Sequence, residues 1–354
     1  MIALSYFLLQ NDSATILKGG ITFATLKEVA ELANVAPMTV SRVINNPETV
    51  KEGTRLRVVA AMKELRYSPN IAAKSLAANR CGVIDVFIPE SIDISNPFVM
   101  HFIAGISSAL SEHYYSFLIL RNRSREHKCD GYIVTGLLKN EIDEFAQYAR
   151  ERNRPVVLFG HTDIADVDCI DVDNTLGAKC GVRHLIEEGH RKIAMINVLE
   201  DKDYTVDRLN GYRRALQEAG IEYDSELVLY TPNSVDGGEA AAAELLTKKK
   251  VSAIFCATDT IAIGVSNKLK ALGYLIPDDI SLIGFDGLGH QLLATPSITT
   301  IQQPVYELGA MLAKNLLNKL NGRETTTKIM VAPTLLRGAS DKPFNAVVRN
   351  PEMD

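Results

Sequence analysis

T-L-K-E-V-A-E-L-A-N-V-A-P-M-T-V-S-R-V-I-N, residues Thr25 to Asn45, reads as two short helices joined by a tight turn. Thr25 and Glu28 have the spacing of a capping box, in which each side chain bonds the other residue's backbone N–H. Leu26, Val29, Ala30 and Ala33 follow at helical spacing, so the first helix is expected to run to about Ala33. Asn34-Val35-Ala36 is the turn. Pro37 suits the first position of the next helix, where its missing N–H would have had no partner. That second helix is expected to reach about Ile44. Val40, Val43 and Ile44 form its inner face, leaving Met38, Thr39, Ser41, Arg42 and Asn45 toward solvent. Short helices meeting at a tight turn, the second presenting an arginine and small polar groups, form the helix-turn-helix pattern of major-groove readers. A third helix over about 53–65 is expected to close the small core with Leu56, Val59, Ala60 and Met62 or the stem of Lys63.

Beyond Arg80 the pattern changes to short apolar strands alternating with helices. One set reads Val83–Ile88, Phe117–Leu120, Gly131–Val134, Val156–Leu158 and Cys169–Ile170. A second reads Ile193–Ile196, Leu227–Leu229, Ala253–Cys256, Ser281–Phe285 and Thr299–Ile301. Alternation of this kind implies parallel sheets covered by helices, and two sets imply two similar lobes with a cleft between them. In such sheets ligands sit at the carboxyl ends of strands.

Composition agrees with a folded protein whose head alone meets a polyanion. Hydrophobic residues make up 46% of the 354, and no apolar run is long enough to cross a membrane. The apolar opening, Met1 to Gln10, lacks a basic flank and a small-residue cleavage site, so no secretory signal is expected. The five cysteines include no C-x-x-C pair, which argues against zinc and against a disulfide framework and fits reduced cytoplasmic thiols. Net charge is −5, unevenly spread: residues 22–80 carry nine Lys/Arg against five Asp/Glu, net +4, while 81–354 carry 28 against 37, net −9. No G-x-S-x-G, phosphate-binding loop, H-E-x-x-H or dinucleotide fingerprint is present, so no enzyme, cofactor or metal is expected.

The Thr25–Asn45 stretch resembles the head of the lactose/galactose repressor (LacI/GalR) family, as does Tyr67-Ser68-Pro69-Asn70 followed by A-A-K-S-L ending at Leu76. The resemblance runs from about residue 24 to 340. It implies an α-helical helix-turn-helix DNA-binding head and an α/β two-lobed periplasmic-binding-protein-like domain. It divides the chain into a 24–68 head, a 69–80 hinge helix, an 81–340 effector-binding and dimerisation domain and a polar 341–354 tail, expected to be loose. The function it implies is that of a homodimeric repressor that binds a palindromic operator and answers to a small ligand, a sugar or nucleoside-like compound. In the family a hinge leucine, matched by Leu76, wedges into the minor groove. A helix as short as 71–78 is unstable alone, and an apolar wedge can unstack a base step, so the chemistry agrees. Asn70 and Ala73 lie in the same DNA-facing stretch. Arg42 matches the base-reading arginine, whose guanidinium can donate two bonds to guanine. Pro37 and Met38 stand where operator choice varies in the family. Thr25, Thr39, Ser41, Asn45 and Thr54 match phosphate-contacting positions, which set register and not sequence. Lys51 and Ala36 replace the family's usual serine caps, each at about 1 kcal/mol, and Lys51 can instead pair with a phosphate.

For the cleft, the candidates are Asn96 and Phe98 after the first strand, His161 after the fourth, and Lys202, Tyr204 and Arg208 before Gly211. Thr258, Asp286 and Gln303 lie at or beyond later strand ends. Arg208 matches the family's R-x-x-G-[YF] arginine, a ligand anchor. Such groups around an aromatic face suit a pattern of hydroxyls. Pro232-Asn233 stands where relatives place a large aromatic platform, which makes a stacked sugar less secure. The chain also departs from the family at 121–129, where only nine residues link two parallel strands. They can span about 30 Å, but without a full covering helix, so part of a sheet face is expected to be exposed or covered by a partner subunit. Residues 1–23 have no family counterpart, and Lys18-Gly19-Gly20 is what a translated ribosome-binding site would encode. They are read as an extension upstream of the native start. Three alternatives stay open: control by a partner protein in place of a ligand, a transporter's solute-binding protein, and an α/β enzyme.

Overall fold

A computed structural model describes residues 24–45, 47–67, 80–124, 127–325 and 327–344. They fall into two compact units, a head ending at Tyr67 and a body beginning at Arg80.

In the head, α1 spans Leu26–Leu32, α2 Pro37–Asn45 and α3 Glu52–Glu64. The capping box is present: Glu28 N–H donates to Thr25 Oγ1 at 3.3 Å and Thr25 N–H to the Glu28 carboxylate at 2.6 Å. Asn34 takes the left-handed conformation in the turn, φ 52°, as asparagine tolerates better than most residues. Val29, Ala30, Ala33, Val40 and Val43 are buried as read.

The third helix is rotated from the expected phase. Val58 and Ala61 are its buried residues, with Met62 and Leu65 packed beside them, whereas Leu56 and Val59 are 60% and 51% exposed. The helix is apolar on several faces, so its period does not single out one. Packing against α1 and α2 selects the face that carries small Ala61 at the contact.

The body holds two six-stranded sheets. In lobe one, β1 (Val83–Phe87), β2 (Ser116–Leu120), β3 (Gly131–Thr135), β4 (Val156–Phe159) and β5 (Asp168–Val172) are all parallel. In lobe two, β6 (Ile193–Val198), β7 (Val228–Thr231), β8 (Ala253–Cys256), β9 (Ser281–Asp286) and β10 (Thr299–Gln302) are likewise parallel. The expected strands are all found.

Two further strands escape the sequence reading. β11 (Lys328–Val331) returns to lobe one beside β5, and β12 (Thr334–Leu336) pairs antiparallel with β10 in lobe two. The sheet orders are β11-β5-β4-β3-β1-β2 and β12-β10-β9-β8-β6-β7. The chain therefore passes between lobes after β5, after β10 and between β11 and β12.

Helices α4 (Pro97–Ser111) and α10 (Val305–Leu320) pack together on one face of the first sheet, although 193 residues of chain separate them. The contact is backbone-close: a Cβ at Gly105 would stand 1.9 Å from the Tyr306 carbonyl oxygen. On the other face α5 (Lys139–Glu151) lies over Phe87, Tyr132 and Val134.

No helix covers the β1–β2 end of that second face among the described residues of the short crossover, and Leu118 of edge strand β2 is 47% exposed. Lobe two is fuller, with α6 (Asn174–Glu187) packed on α7 (Asp203–Glu218) and α8 (Val235–Lys248) on α9 (Asp259–Ala271). Its core holds Tyr212, Phe255 and Phe285, each contributing on the order of 1.5–3 kcal/mol or more by burial.

The chain beyond 340 does not begin as a loose tail. The Asp341 side chain is 3% exposed, receives a 2.6 Å bond from His184 Nε2 and another from Thr299 Oγ1, and Phe344 N–H donates to the Glu188 carbonyl. These partners belong to α6, its C-terminal cap and β10, so lobe two extends through Phe344.

Candidate functional site

The head presents α2 outward. Pro37 and Arg42 are exposed, Met38 is 65% exposed, and Thr39 and Ser41 are half-buried at the same surface. The first turn of α2 has no acidic group, so nothing there opposes a phosphate. Thr25 is exposed, but its hydroxyl and its N–H are both engaged with Glu28. Lys51 is the N-cap of α3 and makes no side-chain cap bond, as expected from the lost serine, which leaves its ammonium exposed. Thr54 is half-buried in the first turn of the same helix. The side chain of Asn45, and Asn70, Ala73, Leu76 and the hinge helix, lie outside the described residues.

The body candidates converge at the strand ends. Arg208, in the second turn of α7, is 3% exposed. Its Nε donates to Asn174 Oδ1 at 2.9 Å, and its Nη1 donates to the Ala257 carbonyl and lies 3.7 Å from Asp286. The guanidinium is sandwiched between the rings of Phe285 and Tyr204, 3.6 and 4.7 Å from their centroids. Asp286 closes β9 at φ 135°, a backbone region rare for a residue with a side chain. Gln303 Nε2 donates to its Oδ1 at 2.7 Å. Burial pushes the Asp286 carboxyl up, against the pull of Arg208. Burial likewise raises the Tyr204 phenol to about 12, so it is a neutral hydroxyl.

A second cluster spans the lobes. His161, after β4, has Nδ1 3.2 Å from Asp171 of β5 and 3.7 Å from Asp207 of α7. Its backbone N–H faces Asp203. The hydrogen bond to Asp171 and the surrounding carboxylates raise the imidazole to about 9, so it is a cation at neutral pH. Lys202 crosses from lobe two to donate to the Gly136 carbonyl of lobe one, and Lys139 reaches Asp201 at 3.7 Å. The lobes thus touch directly along the start of α7.

Not every candidate joins these clusters. Asn96 caps α4 by accepting the Phe98 N–H at 2.9 Å, and Phe98 packs on Phe102 and Phe159, all within lobe one. Thr258 caps α9 and donates to Asn233 Oδ1 at 2.7 Å, so Asn233 has a defined partner at the position where relatives place an aromatic platform. A groove of about 530 Å³ lies beside the lobe crossings, lined by His101, Gly287, Gln302 and Tyr306 among others, and Gln303 alone of the candidates touches it.

Several residues of the site were not singled out from sequence. Asn174, 2% exposed, fixes Arg208 from the first turn of α6. Asp259 accepts from Thr300 Oγ1 and Gly287 N–H, pinning the turn after β9 to β10. Asp171, Asp203 and Asp207 surround His161. Asp171 lies within a buried strand and Asp203 and Asp207 in the first turns of a helix, positions that carry no local signal of a site.

An outward-facing helix-turn-helix reader and a two-lobed α/β body with polar groups gathered at its strand ends define a DNA-binding regulator of transcription. Residues 25–70 match the description "Bacterial regulatory proteins, lacI family" and residues 182–340 "Periplasmic binding protein-like domain". The HTH-type transcriptional regulator YvdE of Bacillus subtilis is 39% identical over 300 residues, covering 84% of this chain and 93% of that one. A solved CelR–cellobiose complex is similar at 32% identity and TM-score 0.69, over 90% of this chain and 99% of the other. The lac repressor dimer, solved bound to operator and the anti-inducer ONPF, is similar at 25% identity and TM-score 0.68, over 91% and 100%. The chain belongs to the LacI family and is an HTH-type transcriptional regulator. That family is one of regulators and not of enzymes. Among the described residues no helix is long and apolar enough to cross a membrane.

Proposed function

We propose that this protein is a cytoplasmic repressor that binds a two-fold-symmetric operator as a homodimer and is controlled by a small polyhydroxylated effector held between the lobes of its body. The observation that carries the effector reading is the cluster at the start of α7. There Arg208, Asp286 and Gln303 meet at lobe two's strand ends, while His161 and Gly136 of lobe one contact the same helix. A molecule touching both sides has different contacts in the open and closed forms, and only such a difference shifts the equilibrium between them. On the DNA side, Arg42 is the base reader, Pro37 and Met38 set operator preference, and Thr25, Thr39, Ser41, Asn45, Lys51 and Thr54 hold phosphates. Residues 69–80 form the hinge, with Asn70, Ala73 and Leu76 toward the minor groove. In the body, His161, Lys202, Tyr204, Arg208, Asp286 and Gln303 border the effector, and Asn96, Phe98 and Thr258, engaged within their own lobes, shape the strand ends on either side of it.

The test is selection of operators from a randomised duplex pool, followed by titration at several salt concentrations. The expected outcome is a palindrome with a central C-G step, bound in the nanomolar range with steep salt dependence. Equal affinity for the selected site and random DNA at physiological salt overturns the reading. Sedimentation at the same concentrations reports the dimer.

A further inference from the structure

His184 and Glu188 stand one turn apart at the end of α6, and Asp341 reaches them from the chain that leaves β12. No sequence motif announces the trio, because Asp341 lies 157 residues beyond His184. Their donor atoms, the imidazole Nε2 and one oxygen of each carboxylate, all lie within 4.8 Å of one another. The Asp341 side chain is buried, and those of His184 and Glu188 are 12% and 18% exposed. Thr299 Oγ1 donates to Asp341 Oδ1, which leaves Oδ2 for the other two groups. An outer partner of this kind orients a metal-ligating carboxylate. A positive group already sits where the three converge. Arg337 Nη2 is 3.1 Å from Glu188 Oε1, 3.3 Å from His184 Nε2 and 3.8 Å from Asp341 Oδ2.

The guanidinium fits this place poorly. His184 Nε2 is 2.6 Å from Asp341 Oδ2, and one ring nitrogen either donates or accepts. If it donates to Asp341, its proton faces the Arg337 donor. If it accepts from Arg337, its lone pair faces the carboxylate. A metal ion removes the conflict, since it takes the nitrogen lone pair and both carboxylates at once. One imidazole and two carboxylates suit an ion of the zinc class with three protein ligands and water in the fourth position. Donor atoms around a tetrahedral ion at about 2.0–2.2 Å stand roughly 3.3–3.6 Å apart, so the His184–Asp341 pair has to open by no more than about 1 Å. Arg337 can make way, because its side chain is 63% exposed and an ion pair in water is weak.

We propose that His184, Glu188 and Asp341 form a binding site for a divalent ion of the zinc class, held by the Arg337 guanidinium until the ion displaces it. Bound there, the ion clamps the end of α6 to the chain after β12.

The experiment uses the full-length protein, treated with a chelator and dialysed, then titrated with zinc chloride by calorimetry and with cobalt(II) chloride by absorption spectroscopy. The expected result is saturable zinc binding, with a cobalt spectrum that shows d–d bands and no thiolate charge-transfer band, which sets this site apart from the five cysteines. Glu188→Gln and His184→Ala are each expected to weaken zinc binding by about tenfold or more, with cooperative melting showing that both still fold. Arg337→Gln is expected to tighten it by about threefold or more, because a competitor for the same state has been removed. A purely structural ion-pair network would lose stability in that variant and gain no affinity for zinc. Absence of zinc binding, a thiolate band, or binding unchanged in both folded ligand variants overturns the site. Affinity unchanged or weakened in Arg337→Gln overturns the assignment of Arg337 as its occupant.

Discussion

Replacing Arg208 by methionine removes a buried charge held by three acceptors and two rings. Methionine keeps much of the arginine stem's volume, so the loss is mainly polar. Three acceptors are stranded: Asn174 Oδ1, the Ala257 carbonyl and the Asp286 carboxylate. Leaving one member of a buried ion pair unpaired costs about 3–5 kcal/mol. The carboxylate can relieve part of this by taking up a proton, toward which burial already pushes it. For a domain of this size 1 kcal/mol moves the melting temperature by about 2–4 °C, so Arg208→Met is expected to lower it by roughly 6–20 °C. Adding Asp286→Asn removes the unpaired charge, and replacing both members of a buried pair is often close to neutral. The double variant is therefore expected to melt above the single one, with effector response lost in both. Differential scanning calorimetry of parent, single and double variants decides the matter. A single variant within about 2 °C of the parent, or a double variant no more stable than the single, refutes the account of Arg208 as a charge held for the fold as well as for a ligand. Lost effector response in the single variant therefore reflects a weakened fold as well as a lost ligand contact, and the double variant separates the two.

In the head, Val58→Ala is expected to cost about 1–3 kcal/mol, while Leu56→Glu stays within about 0.5 kcal/mol of the parent; chemical denaturation of a tryptophan-tagged head compares them, and the reverse order would restore the expected phase of α3. Met38→Gln is expected to move operator preference toward adenine at the contacted position, because Gln bonds an adenine edge twice and Met cannot; identical half-sites from a randomised pool would show that position 38 reads no base. Leu76→Ala is expected to weaken operator binding by more than about 1 kcal/mol without lowering the body's melting temperature, and an unchanged affinity and footprint would show that no wedge inserts. The His161 imidazole is raised to about 9, chiefly by its bond to Asp171. Its stabilising effect is thus complete below about pH 6.5 and is lost as pH rises through about 9. The body's melting temperature should fall over that window and fall less in His161→Gln, and parallel curves would remove His161 from the link between lobes.

The head was legible because its signals are local. A capping box, a turn asparagine and a proline at the first helical position each act within four residues, and each does so here. The phase of α3 was not, because burial of Val58 over Val59 is decided by α1 and α2. The same division runs through the body. Ten strands announce themselves as apolar runs, since buried parallel strands need no alternation. β11 and β12 are short and half-exposed, and they belong to different sheets though two residues apart, a placement only the lobe crossings dictate. Arg208 could be picked out by its place before Gly211. The Asn174 that holds it lies 34 residues away on another helix, and nothing around Asn174 distinguishes it from an ordinary helix start. Asp259 reads as a helix-opening acid, yet its carboxylate is turned inward to clamp the crossing after β9. The residues that escape a sequence reading are therefore those whose partners come from another element.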